Sequence, residues 1–151
     1  MSPVRQAGAQ LRWRPWLLGW LGMVVVAVLN GTLRALVTQP WLGEEVARRL
    51  ATVILLVVLT AYVWLLHRRF PLPSTRSAWA VGLAWAAMTL TFEFGFGGPV
   101  EGLSWSTMLA DYDVTRGRIW VLVPVWTTAV VAAVHTLQGA HEPASGLRAV
   151  G

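Results

Sequence analysis

Four long stretches without a charged side chain constrain the fold of this chain more than any other feature of its sequence. They cover residues 15–33, 50–66, 77–92 and 119–140. A helix of about 20 apolar residues crosses the roughly 30 Å hydrocarbon core of a bilayer. Charged residues make up only 13% of the chain, whereas a soluble domain usually carries about 25%. The sequence therefore predicts an all-α integral membrane protein with a bundle of four helices.

The predicted transmembrane domain covers residues 15–137. Its spans are expected at about residues 16–37, 44–66, 77–96 and 118–137. A basic tail, residues 1–14, precedes this domain, and a tail predicted to be disordered, residues 138–151, follows it. Residues 1–29 also fit a cleaved signal peptide, with a basic start and an apolar stretch. No small-x-small cleavage site precedes Asn30, however, and three further spans would keep the mature chain in the membrane.

The arginines predict the orientation of the chain, because basic residues in short connections are retained on the cytoplasmic side. Seven arginines lie in the two tails and the middle loop: Arg5, Arg12, Arg14, Arg68, Arg69, Arg76 and Arg148. The connections on the other side hold four, each close to an acidic residue: Arg48, Arg49, Arg116 and Arg118. Glu44 and Glu45 lie four residues before Arg48 and Arg49, the order that favours ion pairs at the start of a helix. Tryptophans fall near both expected membrane interfaces, Trp16 at the inner one and Trp120 at the outer one. We expect both termini to be cytoplasmic.

The charge pattern also excludes several classes of function. The net charge is +5 and the isoelectric point about 11.3, but the basic residues lie in pairs at the ends of apolar runs rather than on one basic face. A nucleic-acid partner would need such a face, so we predict none. The chain has no cysteine, which excludes disulfides, cysteine-ligated zinc and iron–sulfur clusters.

Polar side chains inside a predicted span are costly and therefore informative. Asn30 and Arg34 lie one turn apart in the first span, and Glu93 lies in the third. Counting 1.5 Å per residue from the middle of each span places Arg34 roughly 12 Å and Glu93 roughly 9 Å toward the outer side. We therefore predict that Arg34 pairs with Glu93, with Asn30 beside them. The pair would be either a packing clamp or a site for an anionic substrate or a proton relay.

A second polar set is predicted at the outer mouth of the bundle. Its members are Glu44, Glu45, Asp111, Tyr112, Asp113, Arg116 and Arg118. Such carboxylates could hold a hard divalent cation, but their spacing is not that of an EF-hand loop, and Asp113 could instead cap the fourth helix. We predict no metal site.

The loop between the third and fourth spans is expected to contain a short helix. Ser104 could cap it, and apolar side chains recur at helical spacing from Trp105 through Met108 and Leu109 to Tyr112. This helix would either lie flat in the outer interface or cover the mouth of the bundle.

His67 and His135 fall at the same predicted side of the membrane, as a haem or metal pair would require. His67 precedes Arg68 and Arg69, so we expect it at the headgroup boundary, and we predict no cofactor. Small residues four apart, such as Gly82 with Ala86 and Ala27 with Gly31, predict close helix contacts. Pro124 is expected to free the carbonyl of Trp120 and kink the fourth helix.

Several motifs together resemble a group of small bacterial inner-membrane proteins. They are Asn30-Gly31-x-x-Arg34, Phe92-Glu93-Phe94-Gly95-Phe96-Gly97, Asp111-Tyr112 and Gly117-Arg118-Ile119-Trp120. The resemblance implies a bacterial source, a multi-pass protein of the cytoplasmic (inner) membrane and a four-helix fold; it implies no activity, cofactor or site.

From the residues we expect a small, non-enzymatic accessory or structural membrane protein with an outer-side polar cluster. The alternative is a small oligomeric transporter or channel that uses Arg34 and Glu93 as its intramembrane polar site. Under either hypothesis the protein would lie in the lipid bilayer, and its candidate partners are another membrane protein or a second copy of the chain.

Overall fold

The computed structural model describes residues 10–100 and 102–140. The remaining parts of the two predicted tails, residues 1–9 and 141–151, lie outside these described residues, as does residue 101. Within the described ranges the chain is helical with connecting loops and has no strand. Four of its helices are long and apolar enough to cross a membrane. Their bounds are Trp13–Leu42, Glu44–Arg69, Thr75–Phe96 and Leu122–Gly139.

The elements follow one another up and down the bundle. In chain order they are α1 (Trp13–Leu33), a π-helical turn (Arg34–Thr38), α2 (Gln39–Leu42), α3 (Glu44–Arg69), α4 (Thr75–Gly97), α5 (Trp105–Ala110), a 3-10 turn (Val114–Arg116) and α6 (Leu122–Ala140). We call the end that carries residues 39–43 and 98–121 the loop end. We call the opposite end, with residues 69–75, the tail end.

The first long helix extends past the expected limit of its span at residue 37 and ends only at Gly43, whose φ of 77° is left-handed. A π-helical turn lies within it, and the Thr38 hydroxyl donates to the Arg34 carbonyl oxygen at 3.1 Å. Of its buried residues, Met23 is the last, so residues 24–42 contain none. The half of this helix at the loop end is therefore packed loosely against the rest of the bundle.

The second long helix, α3, begins at Glu44, where the second span was expected to begin. Its first turn carries the two expected ion pairs four residues apart. Arg48 pairs with Glu44, and Arg49 Nη2 lies 3.0 Å from Glu45 Oε1. Acidic residues in a first turn also interact favourably with the helix dipole.

The hydrophobic core is filled by side chains from all four long helices and by Leu72 from the connection at the tail end, and it lies in the middle of the bundle and toward that end. It consists of Trp16, Met23, Leu59, Val63, Leu72, Ala78, Val81, Trp85, Val130, Val131, Ala132 and Val134. The rings of Trp16 and Trp85 lie 5.9 Å apart, and the Trp85 indole N–H donates to the Trp16 carbonyl oxygen at 2.9 Å. Trp16 therefore points into the core rather than into the lipid interface.

The closest helix contact joins α4 to α6 at Gly82. A Cβ atom at this position would lie 2.2 Å from the backbone oxygen of Thr128, a distance that no real side chain tolerates. The small-residue pattern of α4 thus marks a tight contact. Gly31 differs, because a Cβ atom there would meet nothing within 4 Å.

The last helix, α6, begins at Leu122, four residues later than expected. The 3-10 turn ends at Gly117, which adopts a left-handed φ of 73°, and this reversal delays the helix. The late start places Pro124 in the first helical turn, where a missing N–H costs nothing. The Trp120 carbonyl oxygen accepts from Val123 N at 2.9 Å, so the kink expected at Pro124 is not needed.

Candidate functional site

Glu93 is the acidic side chain placed deepest in a long helix at the loop end. It lies one turn before the end of α4 and is partly buried. Its Oε2 atom accepts from the hydroxyl of Tyr112, and its Oε1 atom accepts from the indole N–H of Trp120 at 3.1 Å. Both carboxylate oxygens are therefore held by donors from the segment that follows α4.

Arg34 and Glu93 do not form the ion pair expected from the sequence. Arg34 Nη1 instead donates to Gln39 Oε1 at 3.5 Å, and the Asn30 amide donates to the carbonyl oxygen of Ala51 at 3.0 Å. A similar predicted depth does not fix the direction in which a helix presents a side chain. Asn30 and Arg34 face α3, whereas Glu93 faces the loop.

Asp111 is the centre of a second network, which joins the loop to α3. Its Oδ1 atom lies 2.7 Å from Arg48 Nη1 and also pairs with Arg118. Arg48 in turn pairs with Glu44. The sequence assigned Arg48 only to the acids of its own helix. The contact between Arg48 and Asp111 spans 63 positions of the chain, so no local spacing could reveal it.

The remaining members of the outer-loop set form exposed local pairs. Asp113 accepts from the backbone N–H of Thr115 at 3.0 Å, and Arg116 Nε lies 3.2 Å from its Oδ2 atom. The Thr115 hydroxyl also donates to Asp113 and is the main cause of the lowered pKa of this carboxylate, to which the backbone N–H of Thr115 and Arg116 add. Asp113 thus caps the 3-10 turn rather than α6. Glu45 pairs with Arg49 at the surface, and exposed pairs of this kind contribute little stability.

An aromatic stack holds the loop helix α5 on the end of α4. The Phe94 ring lies between Trp105, 5.6 Å away, and Tyr112, 5.8 Å away. Ser104 caps α5 by accepting from Thr107 N at 3.2 Å, as expected, and Met108 is buried beneath the helix. The predicted apolar stripe of α5 is therefore only partly covered, because Met108 is buried whereas Trp105 is 67% exposed. Burial and the bonded Glu93 carboxylate raise the pKa of Tyr112.

Two cavities open at the loop end, on either side of Trp120 and Asp111, which line both. The first has a volume of about 270 Å³ and is lined by Glu93, Tyr112 and neighbouring aromatic side chains. The second has a volume of about 210 Å³ and is lined by Asn30, Arg34 and Arg48. Residues of the predicted intramembrane cluster and of the outer-loop set thus line the same two cavities, although Arg34 and Glu93 do not pair with each other.

No group of three His, Asp or Glu side chains in residues 10–100 and 102–140 is placed to hold a metal ion. Asp111 instead holds two arginines, and Glu93 holds two neutral donors. Oδ1 of Asp111 and both oxygens of Glu93 are therefore already engaged.

A further polar cluster lies at the tail end, around His67. This side chain is only 4% exposed, so it is enclosed by the bundle rather than placed on its surface. His67 Nδ1 lies 2.8 Å from Gln138 Oε1, while Nε2 lies 3.2 Å from His135 Nδ1. The Gln138 amide nitrogen donates to the Trp64 carbonyl oxygen, so its oxygen accepts and His67 carries its proton on Nδ1. The hydrogen-bond distance between the two rings leaves no room for an iron atom between them.

Comparisons with protein families, with curated proteins and with solved structures gave no significant match to this chain. The resemblance of its motifs to small bacterial inner-membrane proteins therefore stays a prediction.

Proposed function

We propose that the protein is a non-enzymatic accessory or structural protein of a bacterial inner membrane. In this proposal the four long helices span the bilayer, the loop end faces outward and both termini lie in the cytoplasm. The hydrogen bonding of Glu93 carries the proposal. Both oxygens of Glu93 accept from fixed donors of the neighbouring loop, which suits a structural role better than a carboxylate that must give up these bonds to take up a proton or a substrate.

The interior behind Glu93 supports the same proposal. Within the described residues, the buried polar side chains are His67 and three threonines, and each is hydrogen-bonded. The core between the two ends is made of apolar side chains. A transport path needs a line of polar groups or water across this layer, and the packed core favours a sealed bundle.

The loosely packed half of the first long helix supports an accessory role. Residues 24–42 include no buried side chain, and Leu36 is 74% exposed. Such a surface suits either lipid or a helix of another membrane protein. We propose that this surface binds a partner protein in the membrane, with the Glu93 and Asp111 networks holding the adjacent loop in a fixed shape.

Site-specific cross-linking in native membranes tests the partner. The chain has no cysteine, so Leu36→Cys places one photoreactive label on the proposed surface. Val57→Cys is the matched control, because Val57 is 65% exposed on α3. We expect a single stoichiometric cross-linked product from position 36 and none from position 57. Equal products from both positions, or none from either, would contradict an accessory role.

The orientation is tested by labelling cysteines from outside intact cells. Val114→Cys lies at the loop end and Pro73→Cys at the tail end, both on exposed loop residues. A membrane-impermeant maleimide should modify position 114 in intact cells and position 73 only after lysis. The reverse order would show that the proposed orientation is wrong.

A further inference from the structure

The strongest unexplained feature of the loop end is Arg34. It lies in a long apolar helix, at the start of the π-helical turn, and is partly buried. In the described part of the chain no acidic side chain pairs with it. Its side-chain contact is a long hydrogen bond to Gln39, 3.5 Å away. A cation in this position is costly in lipid unless an anion accompanies it, and π-helical turns are frequent at functional sites.

Arg48 brings a second cation to the same cavity. Its Nη atoms are paired with Glu44 and Asp111, but its Nε atom is buried and has no hydrogen-bond partner among the described residues. Asp111 also lines the cavity, yet it is shared with Arg118. Arg34 and Arg48 thus face a cavity in which the carboxylate of Asp111 is already neutralised. The charge of the cavity therefore suits an anion.

Small residues create the space beside these arginines. Ala27, Gly31 and Ala51 line the cavity of about 210 Å³. A Cβ atom on Gly31 would meet nothing within 4 Å, so the glycine leaves room that no neighbouring helix fills.

An apolar groove continues from this cavity between α1 and α3. It has a volume of about 220 Å³ and shares Asn30, Arg34 and Ala51 with the charged cavity. Its other walls are apolar except for Thr38 and include Leu33, Val37, Leu50 and Ile54. A ligand that fits both spaces has an anionic head and a hydrocarbon chain.

We propose that Arg34 and Arg48 bind the phosphate headgroup of an anionic phospholipid, with one acyl chain in the groove between α1 and α3. Charge complementarity favours an anionic lipid over a neutral one. The continuity of the charged cavity with the apolar groove favours a lipid over free phosphate. The site lies between the helices, whereas the partner surface proposed above is the outward face of the first helix, so the two proposals can fail separately.

Native mass spectrometry of the delipidated full chain tests the site. The protein is titrated with phosphatidylglycerol and with phosphatidylcholine of the same acyl chains. One arginine near an anionic headgroup is worth about fivefold in affinity, so wild-type protein should bind phosphatidylglycerol at least about fivefold more tightly. Arg34→Gln should remove this preference, and Arg76→Gln, a change at an exposed arginine of the tail end, should retain it. Equal affinities in wild type, or an unchanged preference in Arg34→Gln, would overturn the proposal.

A second variant tests whether the lipid occupies the cavity, and it does so without changing a charge. Gly31→Leu should occupy part of the cavity and weaken lipid binding, while Gly95→Leu, at a helical glycine where a Cβ atom likewise meets nothing within 4 Å, should not. Unchanged binding in Gly31→Leu would place the lipid elsewhere. Excess inorganic phosphate should not displace the lipid. Displacement by phosphate alone, or a protein dimer that appears as lipid is removed, would overturn the assignment to a phospholipid.

Discussion

The indole N–H of Trp120 donates to Oε1 of Glu93 at 3.1 Å, and this bond joins the start of the last long helix to the end of the preceding one. Tyr112 donates to the other carboxylate oxygen. Together they close the 98–121 segment onto α4 by way of one acidic side chain. Glu93 at the loop end is therefore a fixed hydrogen-bond acceptor.

Truncation of this acceptor should destabilise the fold. Glu93→Ala leaves two partly buried donors without a partner, and we expect a loss of about 1–3 kcal/mol in the free energy of unfolding. Glu93→Gln keeps one acceptor oxygen and should lose less. Unfolding in detergent, followed by circular dichroism, measures both variants.

A double-mutant cycle checks that the loss comes from the bond to Tyr112. Glu93→Ala combined with Tyr112→Phe should cost less than the sum of the single changes, because both remove the same bond. Thr91→Ala, which changes an exposed threonine bonded to its own helix, should be additive with Tyr112→Phe. Additivity in both pairs would show that Glu93 and Tyr112 are not coupled.

Asp111→Asn should destabilise the bundle more than a surface charge change does. Its carboxylate serves both Arg48 and Arg118, and its loss leaves two positive charges facing each other. Because Asp111 is 38% exposed, we expect about 1–2 kcal/mol, between the values for exposed and buried pairs. Glu45→Gln is the matched control, since it breaks the exposed pair with Arg49. If Asp111→Asn and Glu45→Gln lower the free energy of unfolding equally, Asp111 does not bridge α3 and the loop.

Gly82→Ala should loosen the contact between α4 and α6. The added methyl group would lie 2.2 Å from the Thr128 oxygen, so the helices must separate, at a cost of about 1–3 kcal/mol. Gly95→Ala on the same helix meets nothing within 4 Å and should be neutral or stabilise by up to about 1 kcal/mol. The difference between the two thermal midpoints is the measurement, and a tolerated Gly82→Ala would mean that the two helices are not in close contact.

The ionisation of Tyr112 should have its midpoint above the ordinary value for a tyrosine. Burial and the neighbouring Glu93 carboxylate favour the neutral phenol and raise its pKa, above an ordinary value of about 10. The resulting stability is fully present below the unfolded pKa and is lost as the pH rises through the folded one. Tyr62→Phe leaves Tyr112 as the one tyrosine of the chain, so tyrosinate absorbance reports it alone. An ordinary titration midpoint would contradict the bond to Glu93.

The long helices could be predicted from the sequence because their cause is local. Apolar length sets α1 and α4, and the order of acids and arginines sets the start of α3 at Glu44. The start of α6 was missed, since the left-handed turn at Gly117 depends on a single backbone angle that composition does not encode.

The sequence predicts which residues belong to the site but not which of them pair with each other. Most of its residues were identified because polar groups near lipid are expensive, but their pairing depends on which way each helix faces. Arg34 therefore turned toward α3 rather than Glu93. Trp120, assigned only to the interface, became a partner of Glu93 through its N–H. Burial of His67 required its contacts with His135 and Gln138, from a helix far along the chain.

Proton flux into liposomes tests most directly the central claim that Glu93 is a structural acceptor in a sealed bundle. Wild-type protein and Glu93→Gln, each shown to be folded by its thermal midpoint, are reconstituted at equal density with a pH-sensitive dye inside. The sealed bundle predicts that both give the flux of empty liposomes under an imposed pH gradient. A wild-type flux that Glu93→Gln abolishes, without loss of folding, would contradict the claim and establish the transporter instead.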